Sequence, residues 1–162
     1  MRLNQNEEDL FNEIDKIQFD IDMNNNNEIM VLEKNKLLNA INAFEYSVNK
    51  IAPYDKEKNY SLDEISPYEV LTLRLYRAVE LSIIYFNQYV LLKYNDTDLN
   101  LRELLPRILK DGLISNVELW MDMRTIGRLA FDDENDFLAD NFNLITGVYF
   151  SELINLKKKI LE

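Results

Sequence analysis

Apolar side chains recur at the 3.6-residue spacing of an α-helix along most of this 162-residue chain, and few residues interrupt the pattern. Only three Gly and three Pro are present, which favours long, uninterrupted helices. A chain of about 150 residues buries roughly 70% of its unfolded surface, so one domain can build a core without disulfides or metals. We therefore predict an all-α fold, with five or six helices in one bundle.

The predicted bundle has one additional helix at the N-terminus, before a run of asparagines. Asn24 to Asn27 are predicted to break the chain there, because asparagine side chains bond to their own backbone in turns. This gives an N-terminal helix and Asn-rich linker at residues 1–27 and a helical bundle domain at residues 28–162. The predicted helices cover residues 7–22, 28–51, 66–94, 100–112 (a short extra helix), 115–130 and 135–161. The first has Leu10, Ile14, Ile17 and Ile21 on one face, and the segment of residues 1–27 is interpreted as a cover for an otherwise exposed face of the bundle.

Several residues predict where helices begin and end. Ser66 and Glu69, and likewise Asn100 and Glu103, have the spacing of a capping box, with Pro67 at a first helical position. Gly112 is expected to end the short helix in a left-handed conformation. Pro106 lies inside that helix and predicts a kink or a 3₁₀ stretch.

The chain contains no His and no Cys, and this excludes whole classes of chemistry. Disulfides, thiolate nucleophiles, imidazole bases and Cys or His metal ligands are all impossible. The formal charge of −11 opposes autonomous binding to nucleic-acid backbones. An acidic run at residues 132–136 lacks the spacing of a calcium loop and is interpreted as an acidic helix N-terminus, so we predict neither a metal nor a cofactor.

The most apolar stretch, residues 70–92, is long enough to span a bilayer. It carries Arg74, Arg77 and Glu80, each of which costs a few kcal/mol at a membrane centre. We therefore interpret it as the central helix of a bundle, without membrane contact. The first ten residues lack the apolar core of a signal peptide, so the predicted location is the cytoplasm.

Arg124 and Arg128 are the polar residues that stand out, because a separation of four places them on the same face of a helix. Guanidinium groups bind phosphate or carboxylate in pairs of hydrogen bonds, so the two residues are candidate anion or substrate contacts. The alternative is that they pair with acidic neighbours such as Asp122 or residues 132–134.

Two neighbours of these arginines are candidate contact residues. Gly127 costs about 1 kcal/mol inside a helix relative to Ala, which predicts close approach of another backbone, from this chain or from a partner subunit. Trp120 is interpreted as a core or interface aromatic rather than as a platform for stacking a base.

The segment from residue 31 to the C-terminus resembles a known group of proteins. Gly112-Leu113-Ile114-Ser115, followed by Glu118-Leu119-Trp120-Met121-Asp122-Met123, is similar to the helical substrate-binding subunits that pair with minimal nucleotidyltransferases, within the HEPN superfamily. Leu32-Glu33-Lys34 and the region from Arg74 to Leu81 give weaker support. The resemblance implies an up-and-down four-helix bundle of HEPN type and a nucleotidyltransferase partner.

The signature of that family is an Arg, a spacer, a His, one residue and a Tyr, followed by an acidic turn. In one alignment Arg124 fills the Arg position, Leu129 the His position and Phe131 the Tyr position, ahead of the acidic residues 132–134. In a register without gaps from Trp120, Gly127 and Asp132 take the Arg and His positions instead. Either register lacks the His. Leucine cannot transfer a proton, and phenylalanine has no hydroxyl to be modified.

The resemblance, with the His and Tyr of the signature replaced, implies a non-catalytic accessory subunit that binds a minimal nucleotidyltransferase, in a toxin–antitoxin-like pair, and that self-associates. Its expected interface residues are Trp120, Gly127, Leu129 and Phe131. The first alternative is a HEPN-type, metal-independent ribonuclease toxin in which Arg124 acts with Asp132 or Tyr149. The second is a stand-alone structural or regulatory homodimer.

Overall fold

The computed structural model describes residues 4–130 and 137–162, and every regular element in them is helical. The elements are α1 (Gln5–Lys50), α2 (Leu62–Tyr94), α3 (Leu101–Lys110), α4 (Val117–Leu129), α5 (Phe137–Leu144) and α6 (Phe150–Leu161), with a π-helical turn at Ile145–Tyr149 between the last two. The predicted all-α class is confirmed. The described part of the chain contains no helix with the length and apolar character needed to cross a membrane.

Helix α1 is continuous for 46 residues, so the predicted break at Asn24 to Asn27 is wrong. Asparagine costs a helix only about 0.7 kcal/mol per residue, whereas ending a helix and starting another requires a new unfavourable nucleus. The helix is also held at this point, because the Asn26 carbonyl accepts a hydrogen bond from Nε2 of Gln88 on α2 at 2.9 Å. One helix therefore crosses the run, and no linker separates the predicted first and second helices.

The N-cap of helix α2 is Ser61, five residues before the predicted cap at Ser66. Ser61 and Glu64 form the capping box that is used, and Pro67 lies inside the helix instead of at its first position. Lys58 pairs with Glu64 at 3.0 Å. The Ser61 backbone N–H and the Lys58 ammonium group together lower the pKa of Glu64 to about 2. The Ser66 and Glu69 pattern, although it has the same spacing, opens no helix.

The ends of α3 agree with two of the sequence predictions. Asn100 and Glu103 form the predicted capping box. Gly112 has a φ of 77°, and the N–H groups of Gly112 and Leu113 bond to the carbonyls of Leu109 and Ile108. These two bonds are those of a Schellman motif, so the predicted left-handed stop is confirmed. Pro106 is accommodated within an α-helix, and the predicted 3₁₀ stretch is absent from residues 101–110.

The long helices pack antiparallel around one core. Arg74 of α2 bonds to Oγ of Ser47 at 2.7 Å while Gln88 bonds to Asn26, so residue numbers rise in opposite directions along α1 and α2. Helices α2 and α4 are also antiparallel neighbours. The core includes side chains with no exposed surface from five of the six α-helices and from the π-helical turn: Leu37, Ile41, Phe44, Leu71, Leu75, Phe86, Leu105, Ile108, Met123, Ile145, Leu153 and Leu156.

The N-terminal part of α1 extends beyond this core. Every residue from Asn4 to Asp22 is exposed, whereas α1 buries side chains in the bundle only from Leu37 onward. We call residues 5–22 the projecting segment. The interpretation of residues 1–27 as a cover for a bundle face is therefore wrong for residues 4–22, since all of them are exposed.

Candidate functional site

Arg124 and Arg128 line an open groove of about 470 Å³ between the start of α3 and the middle of α4. The 3.6-residue period of α4 places both side chains on the same face, as the sequence predicted. The exposed Arg102 of α3 adds a third guanidinium group. The groove is lined by Asn100, Leu101, Arg102, Glu103, Met121, Arg124, Thr125 and Arg128.

Both arginines of α4 approach a carboxylate on another helix. Nε of Arg124 lies 3.3 Å from Oε1 of Glu80 on α2, and Nε of Arg128 lies 3.7 Å from the same oxygen. The structure therefore supplies an acidic partner that the sequence analysis did not name, in place of Asp122. Residues 132–134, the other predicted partners, lie outside the described residues. Glu80 fixes one edge of the guanidinium groups, and the side chain of Arg128 remains 57% exposed.

The groove has the chemistry of an anion-binding site. Three guanidinium groups line it together with one carboxylate, that of Glu103, and a second carboxylate, that of Glu80, pairs with Arg124 and Arg128 from α2. Oε2 of Glu103 is engaged by the Asn100 backbone N–H at 3.0 Å as part of the capping box. The Thr125 hydroxyl donates to the Met121 carbonyl. The planar guanidinium groups of this lining can bind phosphate or carboxylate bidentately.

Gly127, between the two arginines, marks the close contact of α4 with α2. A Cβ atom built on Gly127 would lie 3.4 Å from Cα of Tyr76 and 3.5 Å from its Cδ2. The sequence predicted close approach of a backbone from this chain or from a partner, and the neighbour is a helix of the same chain. The contact is at the short end of ordinary van der Waals distance, so α4 and α2 pack closely along this line.

The remaining predicted contact residues are dispersed. Trp120 is 1% exposed and packs edge-on against Phe86, with ring centroids 5.1 Å apart, so it lies in the core of this chain and not on an open surface. Leu129 is 44% exposed at the end of α4. Phe131 and the acidic run at residues 132–136 lie outside the described residues. Tyr149, a candidate in the ribonuclease alternative, is 3% exposed and does not line the groove.

A buried carboxylate that the sequence analysis missed holds α6 against the α3–α4 connection. Glu152 is 5% exposed. Its two oxygens accept hydrogen bonds from the Ser115 backbone N–H at 3.0 Å, the Ser115 hydroxyl at 2.8 Å and the Trp120 indole N–H at 2.9 Å. All three donors are neutral, and the carboxylate is enclosed. These three bonds make Glu152 a structural link between α6 and the connection that leads into α4.

A second carboxylate, that of Asp111, ties the end of α3 to the end of α2. It accepts hydrogen bonds from the hydroxyls of Tyr94 at 2.6 Å and Tyr89 at 3.0 Å, and Lys93 pairs with it at 3.0 Å. Burial raises the pKa of Asp111, but the hydrogen bonds from Tyr94, Lys93 and Tyr89 outweigh that effect and leave the pKa below its usual value. The charged form of Asp111 therefore stabilises the fold.

This depressed pKa predicts an acid-sensitive contribution to stability. A carboxyl group with a lowered pKa in the folded state stabilises fully above its unfolded pKa, here near 3.8, and loses that contribution as the pH falls through the folded pKa. We expect the difference in free energy of unfolding between the wild type and Asp111→Asn to be constant above about pH 5 and to shrink below about pH 4. Urea titrations across this range measure it. The exposed Asp140→Asn is the control, and an equal pH profile for the two variants would contradict the prediction.

The residues that the structure describes bring no three Asp or Glu side chains together as a cluster able to hold a metal ion. Comparisons with protein-family models, with curated proteins and with solved structures found no match. These comparisons assign the chain to no family.

Proposed function

We propose that this chain is a non-catalytic accessory subunit of HEPN type, which binds a phosphate-bearing ligand in the Arg102–Arg124–Arg128 groove and associates with a minimal nucleotidyltransferase. The observation that carries the proposal is the groove itself. It gathers three guanidinium groups in a chain whose net charge is −11. The nucleotidyltransferase partner and the HEPN type come from the resemblance of residues 112–123 to the substrate-binding subunits.

The chemistry of the groove favours binding over turnover. A ribonuclease needs a group that accepts a proton from the attacking hydroxyl and one that supplies a proton to the leaving oxygen. In the alignment that keeps Arg124 at the Arg position, Leu129 and Phe131 offer neither group. Burial, and then the charge of Asp122, raise the pKa of Tyr149, which makes this phenol a poorer proton donor. Arg124 is left to hold an anion, with Glu80 fixing its orientation.

Ligand binding is tested with ATP as the probe, in the presence of a metal chelator. Arginine-to-glutamine changes at residues 124 and 128 together are expected to weaken ATP binding at least about tenfold, because each guanidinium contact with phosphate is charge-assisted. A matched control removes two exposed lysines outside the groove, Lys56→Gln with Lys158→Gln. It alters the net charge equally and is expected to change the affinity less than about twofold. If the arginine pair and the lysine pair weaken ATP binding equally, the effect is one of general charge, and the assignment of the groove as the binding site is overturned.

The function as a whole is tested by two further measurements. Co-expression with a nucleotidyltransferase encoded beside this chain is expected to yield a complex that survives size-exclusion chromatography, and two separate peaks would overturn the partner assignment. The purified chain, incubated with RNA and chelator, is expected to leave the RNA intact. RNA cleavage that disappears in Arg124→Ala would overturn the non-catalytic assignment in favour of the ribonuclease.

A further inference from the structure

The projecting segment carries an apolar stripe that no other part of the described chain covers. Its members are spaced four, three and four residues apart, so they form one row along the helix. All are about half exposed, at 57%, 50%, 53% and 48%: Leu10, Ile14, Ile17 and Ile21. Contiguous apolar surface of this kind, bordered by charged residues, is typical of interaction sites.

The stripe does not continue the face with which α1 packs in the bundle. An α-helix turns about 100° per residue, and on that basis the row of Leu10 to Ile21 is rotated by about 150° from the buried row of Leu37, Ala40, Ile41, Phe44 and Ser47. Phe19, which is 63% exposed, lies on the opposite side of the segment from the stripe. A partner can therefore approach the stripe from the side of α1 opposite to α2.

The charge of the segment indicates what kind of surface it fits. Residues 5–22 contain seven Asp and Glu side chains and one Lys, a net charge of −6. If two copies of the segment lay side by side, their net charges of −6 would repel each other, and this opposes self-association through the stripe. A complementary surface is basic at its rim and apolar at its centre.

The length of the stripe also argues against a coiled coil between two copies. The positions that would continue the row after Ile21 are Asn24 and Glu28. The apolar row therefore covers two heptads, whereas a self-associating coiled coil is typified by three to four or more. Four anchors spaced along three helical turns instead match the way a single amphipathic helix occupies a groove on another protein.

We propose that the projecting segment is a docking helix, which inserts Leu10, Ile14, Ile17 and Ile21 into an apolar groove, rimmed by Lys and Arg, on a partner protein. The surface lies on a different part of the chain from the arginine groove. The proposal holds whether or not that partner is the nucleotidyltransferase. Dispersed acidic residues around the stripe steer encounter with the basic rim, and the apolar row supplies the contact.

The occupant is identified by photo-crosslinking of the full-length chain in its native host. Leu10→p-benzoylphenylalanine places the crosslinker in the stripe, and Phe19→p-benzoylphenylalanine places it on the opposite face as a matched control. We expect an adduct with one host protein from the first position and none from the second. An adduct with a second copy of this chain, equal adducts at both positions, or no adduct at all would overturn the proposal.

Binding of the crosslinked protein is then measured with purified full-length chains. Ile14→Ala combined with Ile17→Ala is expected to weaken the affinity at least about tenfold, because buried anchors dominate such interfaces. Phe19→Ala is expected to change it less than about twofold. Alanine has a high helix propensity, so we expect the segment to remain helical in both variants. Unchanged helix content in their circular dichroism spectra checks this. Binding that is equal in both variants, or unaffected by raising the salt from about 0.1 M to about 0.5 M, would contradict the docking role.

Discussion

Glu152→Leu is expected to lower the free energy of unfolding by about 1–3 kcal/mol, which is a substantial part of the stability of a typical domain. The change removes the acceptor of three donors: the buried indole N–H of Trp120, and the N–H and hydroxyl of Ser115, a residue that water reaches. Each unsatisfied buried donor costs about 1–3 kcal/mol. Helix α6 would also lose its tie to the connection between α3 and α4. Chemical denaturation followed by circular dichroism measures the loss.

The control for this experiment is Glu69→Leu, which makes the same chemical change at an exposed position of α2. It is expected to alter stability by no more than about 0.5 kcal/mol. Glu152→Gln keeps one acceptor oxygen and should fall between the two. A coupling of more than about 0.5 kcal/mol between Glu152→Gln and Trp120→Phe would show that the indole and carboxylate act together. If Glu152→Leu unfolds like Glu69→Leu, the carboxylate does not hold the helices together.

Features that depend on a few neighbouring residues could be predicted from the sequence. The Asn100 and Glu103 capping box and the left-handed Gly112 need only local backbone geometry, and both are present. Local geometry alone could not tell whether the Asn run breaks the helix, or which of two Ser-x-x-Glu patterns begins α2. Asn26 accepts a hydrogen bond from Gln88, a residue 62 positions away. The capping box that opens α2 uses Glu64 instead of Glu69, and Lys58 forms an ion pair with Glu64.

In the candidate site, too, features set by neighbouring residues could be predicted, whereas contacts with a distant helix could not. The spacing of Arg124 and Arg128 predicts a shared face, but their partner Glu80 is supplied by another helix. Glu152 was missed because a carboxylate beside an apolar row is usually interpreted as solvated. Its position directly before the buried Leu153 and three residues after the buried Tyr149 was the available signal, since this spacing turns its side chain inward.

Replacing Gly127 by a small side chain is expected to stabilise the fold, and replacing it by a large one is expected to destabilise it. Gly127→Ala should raise the free energy of unfolding by about 0.5–1 kcal/mol, because alanine favours the helix and its Cβ fits against Tyr76 at 3.4 Å. Gly127→Leu should lower it by about 1–3 kcal/mol, since atoms beyond Cβ have no room between α4 and α2. Urea denaturation of both variants measures the difference.

This pair of substitutions also separates packing within the chain from a role at an interface. The exposed Thr125→Leu adds bulk to the same helix on a surface that faces solvent, and it is expected to change stability by no more than about 0.5 kcal/mol. Because Gly127 lies against Tyr76 of the same chain, the loss in Gly127→Leu should be independent of protein concentration, whereas a contact between two copies would strengthen as the concentration rises. A loss that varies with concentration would place Gly127 between subunits. A constant loss would show that α2 alone requires the small residue, and that the spacing of the helices beneath Arg124 and Arg128 is set within the monomer.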